Sequence, residues 1–311
     1  MSPRPVTGDH GIVTTLAPTR GGPISARGLA ELHTHTTYSD GTLAPEQLVD
    51  QAAAAGLAAL AITDHDIVTG VGPARRAAAG LALELVAGIE FSCNLDGREI
   101  HVLGLFIDEN SAQLVEATER SRDFRRQRAA EIVERLHELD LPIELAAVEA
   151  VVGEGSIGRP HIAQALLDHG AVATLDEAFR RYIGVGRPAF TPKPTLGAEE
   201  VIGVVHRAGG VAILAHPASS RVREEEILQL AGLGLDGFEV IHPKHSTEAS
   251  AWLRDLIQRT GLLPSGGSDY HGPGGGATRL GEHAVSVDWL EALRAAAARL
   301  RTATNSSKDE E

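Results

Sequence analysis

Short apolar runs that end on a histidine or an acid recur along this chain, and helix-patterned stretches separate them. LAALAIT at 57–63 leads into TDHD, VAILA at 211–215 into His216, GFEVI at 237–241 into His242 and His245, and LLPSGG at 262–267 into Ser268, Asp269 and His271. The helical stretches are 45–55, opened by Pro45 and followed by Gly56, then 197–208, 223–232, 247–260 and 288–301. Continuous apolar strands that alternate with helices on short connections imply parallel strands covered on both faces. About seven strands are counted, and a closed or nearly closed barrel pairs them most economically; an open doubly wound sheet is the structural alternative. His33, His35, His65, Glu90, His101, His216, His245, Asp269 and His271 lie at or near C-terminal strand ends, the edge on which α/β barrels carry their sites.

The alternation lapses where helix follows helix. The stretch 113–139 is long and carries Arg122, Arg125, Arg126 and Arg128, while 160–169 opens on Pro160 and ends before Gly170. The expected organisation is a disordered leader at 1–27, a discontinuous barrel at 28–108 and 191–301, a helical insertion at 109–190 and a polar tail at 302–311. The arginines are spaced around their helix, which suits solvated surface with Glu partners nearby. NLDGR at 94–98 signals an Asp-Gly hairpin turn, with EIHVLGLFI behind it. GPGGGA, from residue 272, lacks the Lys and Ser or Thr of a phosphate loop and reads as a lid or surface loop.

Charge narrows the partners. Against 42 Asp and Glu stand 28 Lys and Arg, a formal charge of −14, which opposes adhesion to long DNA or to an anionic membrane. The one cysteine, Cys93, excludes an internal disulfide and a zinc-thiolate cluster, suits a reducing cytoplasm and reads as core packing. No apolar run approaches the ~20 residues of a membrane span. Attraction for an anionic substrate must come from a local site. Oligomeric state is left open.

ELHTHTTYSDG at 31–41 places His33 and His35 on one face of an extended strand, with Asp40 where the chain turns away. Six histidines, Glu90 and two aspartates exceed the three protein ligands of one catalytic zinc, so two or three divalent ions are implied. Mixed imidazole and carboxylate donors suit Zn, Mn or Fe better than Ca. Such ions polarise a phosphoryl or carbonyl oxygen and supply hydroxide at neutral pH, and phosphoester hydrolysis is the natural candidate. Asp64 beside His65 reads as the acceptor that orients its ring. Arg159 and His161, at a helix start, read as the grip on a non-reacting phosphate. His245 reads as a phosphate contact or as the acid for the leaving oxygen, and Lys193 in TPKPT as an exposed lysine.

ELHTHTTYSDG, TDHD (63–66), GIEFS (88–92), AHP (215–217) and GSDYH (267–271) together resemble the ordered motifs of the PHP family, the polymerase and histidinol phosphatase domains, over about residues 29–285. The helical insertion and GRPH at 158–161 resemble the bacterial branch that acts on nucleoside 3′,5′-bisphosphates or short oligoribonucleotides. The resemblance implies a distorted (β/α)7 TIM-like barrel with a helical insertion. It also implies a trinuclear centre: His33, His35, Glu90 and Asp269 on one ion, Glu90 bridging to a second held with His101 and His216, and Asp40, His65 and His271 on a third. Manganese is expected first, with iron, zinc or magnesium as alternatives. Glu31 stands where Asp is more usual in the family, which leaves the ligands unaffected. The expected reaction is loss of the 3′-phosphate from a nucleoside 3′,5′-bisphosphate, or 5′–3′ trimming of short RNA, by a metal-bound hydroxide. Histidinol phosphate or another small phosphomonoester is the alternative substrate, and C–N bond hydrolysis a more distant one.

Overall fold

Ala59–Ile62 has no polar position because it is paired on both edges and covered on both faces, and the sheet is built outward from such strands. The computed structural model describes residues 28–273 and 279–308, with side chains as far as residue 302. The expected leader and most of the glycine loop after residue 272 lie outside the described residues. The first half of the chain runs β1 (Leu29–Glu31), α1 (Pro45–Ala54), β2 (Ala59–Ile62), α2 (Val71–Ala78), β3 (Glu84–Leu95) and β4 (Arg98–Leu105). Helices α3 (Ala112–His137), α4 (Leu145–Val152), α5 (Arg159–Asp168) and α6 (Leu175–Ala178) follow, the last continuing into a π-helical turn, Phe179–Ile183. The second half runs β5 (Leu196–Gly197), α7 (Ala198–Arg207), β6 (Val211–Leu214), α8 (Glu224–Gly232), β7 (Gly237–Ile241), α9 (Thr247–Thr260), β8 (Leu263–Gly266), β9 (Val285–Ser286) and α10 (Val287–Lys308).

The sheet order is β8-β7-β6-β4-β3-β2-β1-β9, with β5 beside β3. Parallel pairs join β1 to β2, β2 to β3, β6 to β7 and β7 to β8, but β4 is antiparallel to both neighbours and β9 antiparallel to β1. The expected hairpin is present, and its second strand stands antiparallel among otherwise parallel neighbours. A tight Asp-Gly turn, with Asp96 at φ 51° and Gly97 at φ 86°, sends the chain straight back, so β4 enters the barrel without a crossover helix. Beyond the strand ends, a parallel bridge between Thr34 and Tyr270 carries the pairing from the β1 end to the β8 end. Gly267 permits this approach, since a Cβ there would lie 2.6 Å from the His33 nitrogen. The result is a nearly closed, distorted TIM-like barrel.

Alternate residues on the strands face inward. Ala30, Ala59, Ala61, Val86, Leu103, Leu105, Val211 and Ile213 form one interior cluster with Leu290 and Leu293 of α10. Following the same face along β3, β4 and β7 leads to Glu90, His101 and Glu239. One end of the barrel is thus apolar and the other polar. Helices α3 to α6 bury a core of their own around Ile132, Leu136, Val148, Ile162 and Leu166. Where a solvated tail is expected from residue 302, α10 continues to Lys308. Its alanine-rich run and the absence of Gly or Pro suit a helix that continues to Lys308.

Candidate metal centre

Thr34 is stapled to β2: its amide donates to Thr63 Oγ1 at 3.0 Å and its hydroxyl to the Ala61 carbonyl at 2.5 Å. That contact presents the flanking His33 and His35 to the polar end of the barrel. Glu90 arrives on β3, which rises past the end of β2. His101 arrives near the start of β4, opposite Ser92, since in an antiparallel strand the same barrel edge meets the N-terminal end. His216 and Asp269 follow β6 and β8 on left-handed backbone, φ 33° and 49°, a conformation that tight local bonding must hold.

All nine expected donors converge on one site. His33 Nε2 and His35 Nε2 each lie 3.3 Å from Glu90 Oε2, and 3.5 and 3.2 Å from Asp269 Oδ1. His65 Nδ1 approaches Glu90 Oε2 at 3.0 Å, while His101 Nδ1 and His216 Nε2 meet Glu90 Oε1 at 2.8 and 3.1 Å. His271 Nε2 is 3.2 Å from Asp40 Oδ1, and His35 and His65 are each 3.9 Å from that oxygen. Three overlapping groups have donor atoms mutually within 4.8 Å: His33, His35, Glu90 and Asp269; His35, Asp40, His65 and His271; and His65, Glu90 and His101.

Whether divalent ions fit is answered by the orphaned atoms. His33 Nε2, His35 Nε2, His65 Nδ1, Asp40 Oδ1 and Glu90 Oε2 are buried without a hydrogen-bond partner, and all five belong to these groups. A buried polar atom left unpaired costs about 1–3 kcal/mol, so five in one place make sense as donors turned toward cations. Around them, Glu239 Oε1 accepts from His33 Nδ1 at 2.9 Å and its Oε2 from the His216 amide at 2.6 Å. His216 Nδ1 meets Ser220 Oγ at 2.8 Å. Glu31, buried, accepts from the Ser268 amide at 2.7 Å and fastens the loop that carries Asp269. Burial pushes the Glu31 carboxyl up to about 7.

Electrostatics favour protonation of His33, His35 and His101 when the cage holds no metal, while burial lowers His65, to about 4, and His216. Burial opposes protonation of His33, but Glu239, Glu90 and Asp269 raise it well above the ordinary imidazole value. His35 is raised to about 10, against its burial, by Asp269 and Glu90, and His101 to about 9 by Glu90 and Glu99. Burial favours the neutral form of Glu90, yet His65, His101 and His33 hold it well below the usual carboxylate range. At pH 7, His35 and His101 therefore carry protons that divalent ions must displace. Adding Mn to metal-free protein in weak buffer at pH 7 is expected to acidify the solution. No proton release would contradict ligation by these rings.

Several expected roles are corrected. Asp64 does not reach the His65 ring. It accepts from the Thr36 amide and hydroxyl, each at 2.7 Å, and from Ser39 Oγ at 2.6 Å, because the turn that carries Asp40 supplies nearer donors. His245 turns inward, Nδ1 3.3 Å from the Val240 carbonyl, and does not line the cavity over the site. Its neighbour Lys244 does. The arginine run is not all surface: Arg125 and Arg128 are 7% and 9% exposed. Arg125 donates to Asp66 Oδ2 at 2.5 Å, to Ser92 Oγ and to the Ile157 carbonyl, and Arg128 to the Thr191 carbonyl at 2.8 Å. The Lys193 side chain is 3% exposed, 3.6 Å from both Asp66 and Glu99. Buried carboxylates on the barrel side draw these cations in.

Signals for the missed residues exist. Leu114, Thr118, Ser121, Arg125, Arg128, Ile132 and Leu136 recur every three or four residues, which puts both arginines on the buried face of α3. Glu239 is the lone acid in the apolar GFEVI strand, a placement that demands a buried partner. Glu239→Gln is expected to weaken metal binding ~10–100-fold by loosening His33, as for other partners that orient a metal-binding histidine. Titration of metal-free protein with Mn checks it, and wild-type affinity would remove Glu239 from the site.

Arg159 opens α5, its Nη1 3.3 Å from the Ile183 carbonyl, and both its guanidinium and that of Arg128 lie over the Phe190 ring, 5.6 and 5.8 Å from its centroid. Burial and Arg159 together push Arg128 down to about 10. His161 Nδ1 accepts the Gly158 amide at 2.9 Å, and burial lowers its pKa, so it sits neutral at the helix start. Four cations, Arg125, Arg128, Arg159 and Lys193, thus face two carboxylates, Asp66 and Glu99. Glu99 Oε1 is also 3.4 Å from His101 Nε2, which joins this basic cluster to the histidine cage.

The chain is similar to known proteins along most of its length. The family described as the PHP domain matches residues 31–228. The chain is 34% identical over 249 residues to the 5′-3′ exoribonuclease Rnm of Escherichia coli, covering 78% of this chain and 85% of that one. It is 32% identical over 263 residues to a 3′,5′-nucleoside bisphosphate phosphatase of Chromobacterium violaceum, covering 81% and 90%. A crystal structure from Bifidobacterium adolescentis, described as a candidate metal-dependent phosphoesterase, superposes with a TM-score of 0.79 at 34% identity over 85% of this chain and 94% of that one. This chain belongs to the PHP-domain family.

Proposed function

We propose that this protein is a metal-dependent phosphoesterase that removes the 3′-phosphate from nucleoside 3′,5′-bisphosphates or trims short RNA from its 5′ end. The convergence of five unpartnered buried donor atoms around Glu90 carries the reading. His33, His35, Glu90 and Asp269 would hold one ion, Glu90, His101 and His216 a second, and Asp40, His65 and His271 a third. His35 and His65 face two groups each. Bound there, divalent ions, manganese foremost, supply Lewis acidity and lower the pKa of water toward neutrality. Water's oxygen adds to phosphorus, the P–O3′ bond breaks and O3′ leaves as the hydroxyl with one of water's protons; a bisphosphate gives inorganic phosphate and a nucleoside 5′-phosphate, and an RNA gives a 5′-mononucleotide and a shortened 5′-phosphorylated chain.

The chain's own groups select the substrate. The four-against-two excess of cations beside His101 suits a second phosphate on the same molecule, which Arg159 and His161 would grip at the α5 N-terminus with Arg128 and Lys193 behind them. The names of the E. coli and C. violaceum relatives favour nucleotide or short RNA substrates for this chain too. The cavity over the site measures about 330 Å³, within the range of small-molecule pockets. No described helix is long and apolar enough to cross a membrane, and the buried free thiol of Cys93 fits the cytoplasm, where we place the protein.

Phosphate release from 3′,5′-bisphosphates, mononucleotides and histidinol phosphate, and 5′-mononucleotide release from short 5′-phosphorylated RNAs, test the proposal, with bisphosphates or RNA expected to lead. Arg159→Ala is expected to raise KM for bisphosphates ~10–100-fold, the worth of a charged hydrogen bond, and to change KM for monophosphates little. Equal effects on both would remove its role. A preference for histidinol phosphate would favour the small-phosphomonoester reading, and amine release without phosphate a C–N hydrolase.

A further inference from the structure

The loop after β7 presents a cation that the basic cluster beside His101 does not include. His242 is buried, its Nδ1 accepts the Lys244 amide at 3.1 Å, and its Nε2 faces Asp269 Oδ2 at 3.4 Å. One neutral tautomer, protonated on Nε2, satisfies both contacts and fixes the Lys244 backbone relative to Asp269. The Lys244 side chain is 68% exposed at the cavity mouth, and its Nζ lies 3.6 Å from Asp269 Oδ2, beyond hydrogen-bonding distance. Among the described residues that line this cavity, Lys244 is the one Lys or Arg; the others are four histidines, two serines, Glu90 and Asp269. Asp269 is already engaged by His33, His35 and His242, so it has little hold on the ammonium. A loose, exposed ion pair gives up its cation readily to an incoming dianion.

We infer that Lys244 is a catalytic residue that grips a non-bridging oxygen of the scissile phosphoryl group, the part every substrate shares. The inference rests on the phosphoesterase reading and adds a division of labour: Arg159 and its neighbours read the second phosphate, Lys244 the first. Charge gathers on the non-bridging oxygens as the P–O bond breaks, so the grip tightens in the transition state. His245, directed at the Val240 carbonyl, does not take this place.

Lys244→Met and Lys244→Arg, prepared as the metal-loaded full chain, test this with a nucleoside 3′,5′-bisphosphate, a nucleoside 3′-monophosphate and inorganic phosphate. Lys244→Met is expected to lower kcat/KM ~10–100-fold by the same factor for both nucleotides and to weaken inorganic phosphate binding, with metal content unchanged. Lys244→Arg is expected to recover part of the loss. Unchanged kcat/KM and phosphate affinity would overturn the inference. So would a loss confined to the bisphosphate, which would move Lys244 to the second phosphate, or a loss of metal, which would make it a support for Asp269. If wild-type protein hydrolyses neither nucleotide, the 3′-phosphatase reading fails, while the phosphate-binding comparison still decides whether Lys244 holds the anion.

Discussion

Glu90→Gln is expected to lower phosphate release at least ~10³-fold, well beyond the ~10–100-fold typical of a partner that only orients a ligand, and to leave no more than one tightly held ion per chain. Glu90 Oε2 lies beside three imidazoles and Oε1 beside two more, so no other carboxylate touches as much of the site. The substitution keeps shape and removes charge. It therefore separates loss of ligation from collapse of packing. Metal analysis of the variant beside wild-type kinetics reads both effects; full metal content with full activity would dismiss Glu90 as the bridge.

Arg125→Met is expected to destabilise the protein by about 3–5 kcal/mol, the range for removing one partner of a buried ion pair. Asp66, 1% exposed, would lose its nearest cation and keep only Lys193 at 3.6 Å. The same guanidinium holds Ser92 on β3 and the Ile157 carbonyl, so it ties α3 to the strand that carries Glu90 and to the segment leading into α5. Urea unfolding of the metal-free variant measures the loss. Replacing Asp66 by Asn alongside is expected to recover part of it, because the unpaired buried charge is then gone. A change below about 1 kcal/mol would mean that water reaches Asp66.

The helices were legible because their ends carry local signals: Pro45 in the first turn of α1, and Gly261, at φ 73°, closing α9 in the left-handed region. The donors were legible as motifs, since most sit within a few residues of a strand end, although Glu90 lies in the middle of β3 and Asp40 well past β1. The antiparallel direction of β3 and β4 was legible from the Asp-Gly turn, but nothing in that turn says that β4 will also pair with β6. β5 and β9, two residues each, are too short to show a period. Burial of Arg125 and Lys193 depends on Asp66 and Glu99, which lie far off in sequence and meet them only after the α3–α6 helices dock. Asp64 shows the limit of adjacency: next to His65 in sequence, it is spent on the Thr36–Ser39 turn.

Everything proposed for this protein depends on the histidine cage holding more than one ion. The direct measurement is the metal content of purified protein, equilibrated with Mn and freed of unbound ion. Between two and three ions per chain are expected, one for each group of converging donors, with the Asp40, His65 and His271 group the most readily emptied. Fewer than two ions per chain at saturating Mn would contradict the account.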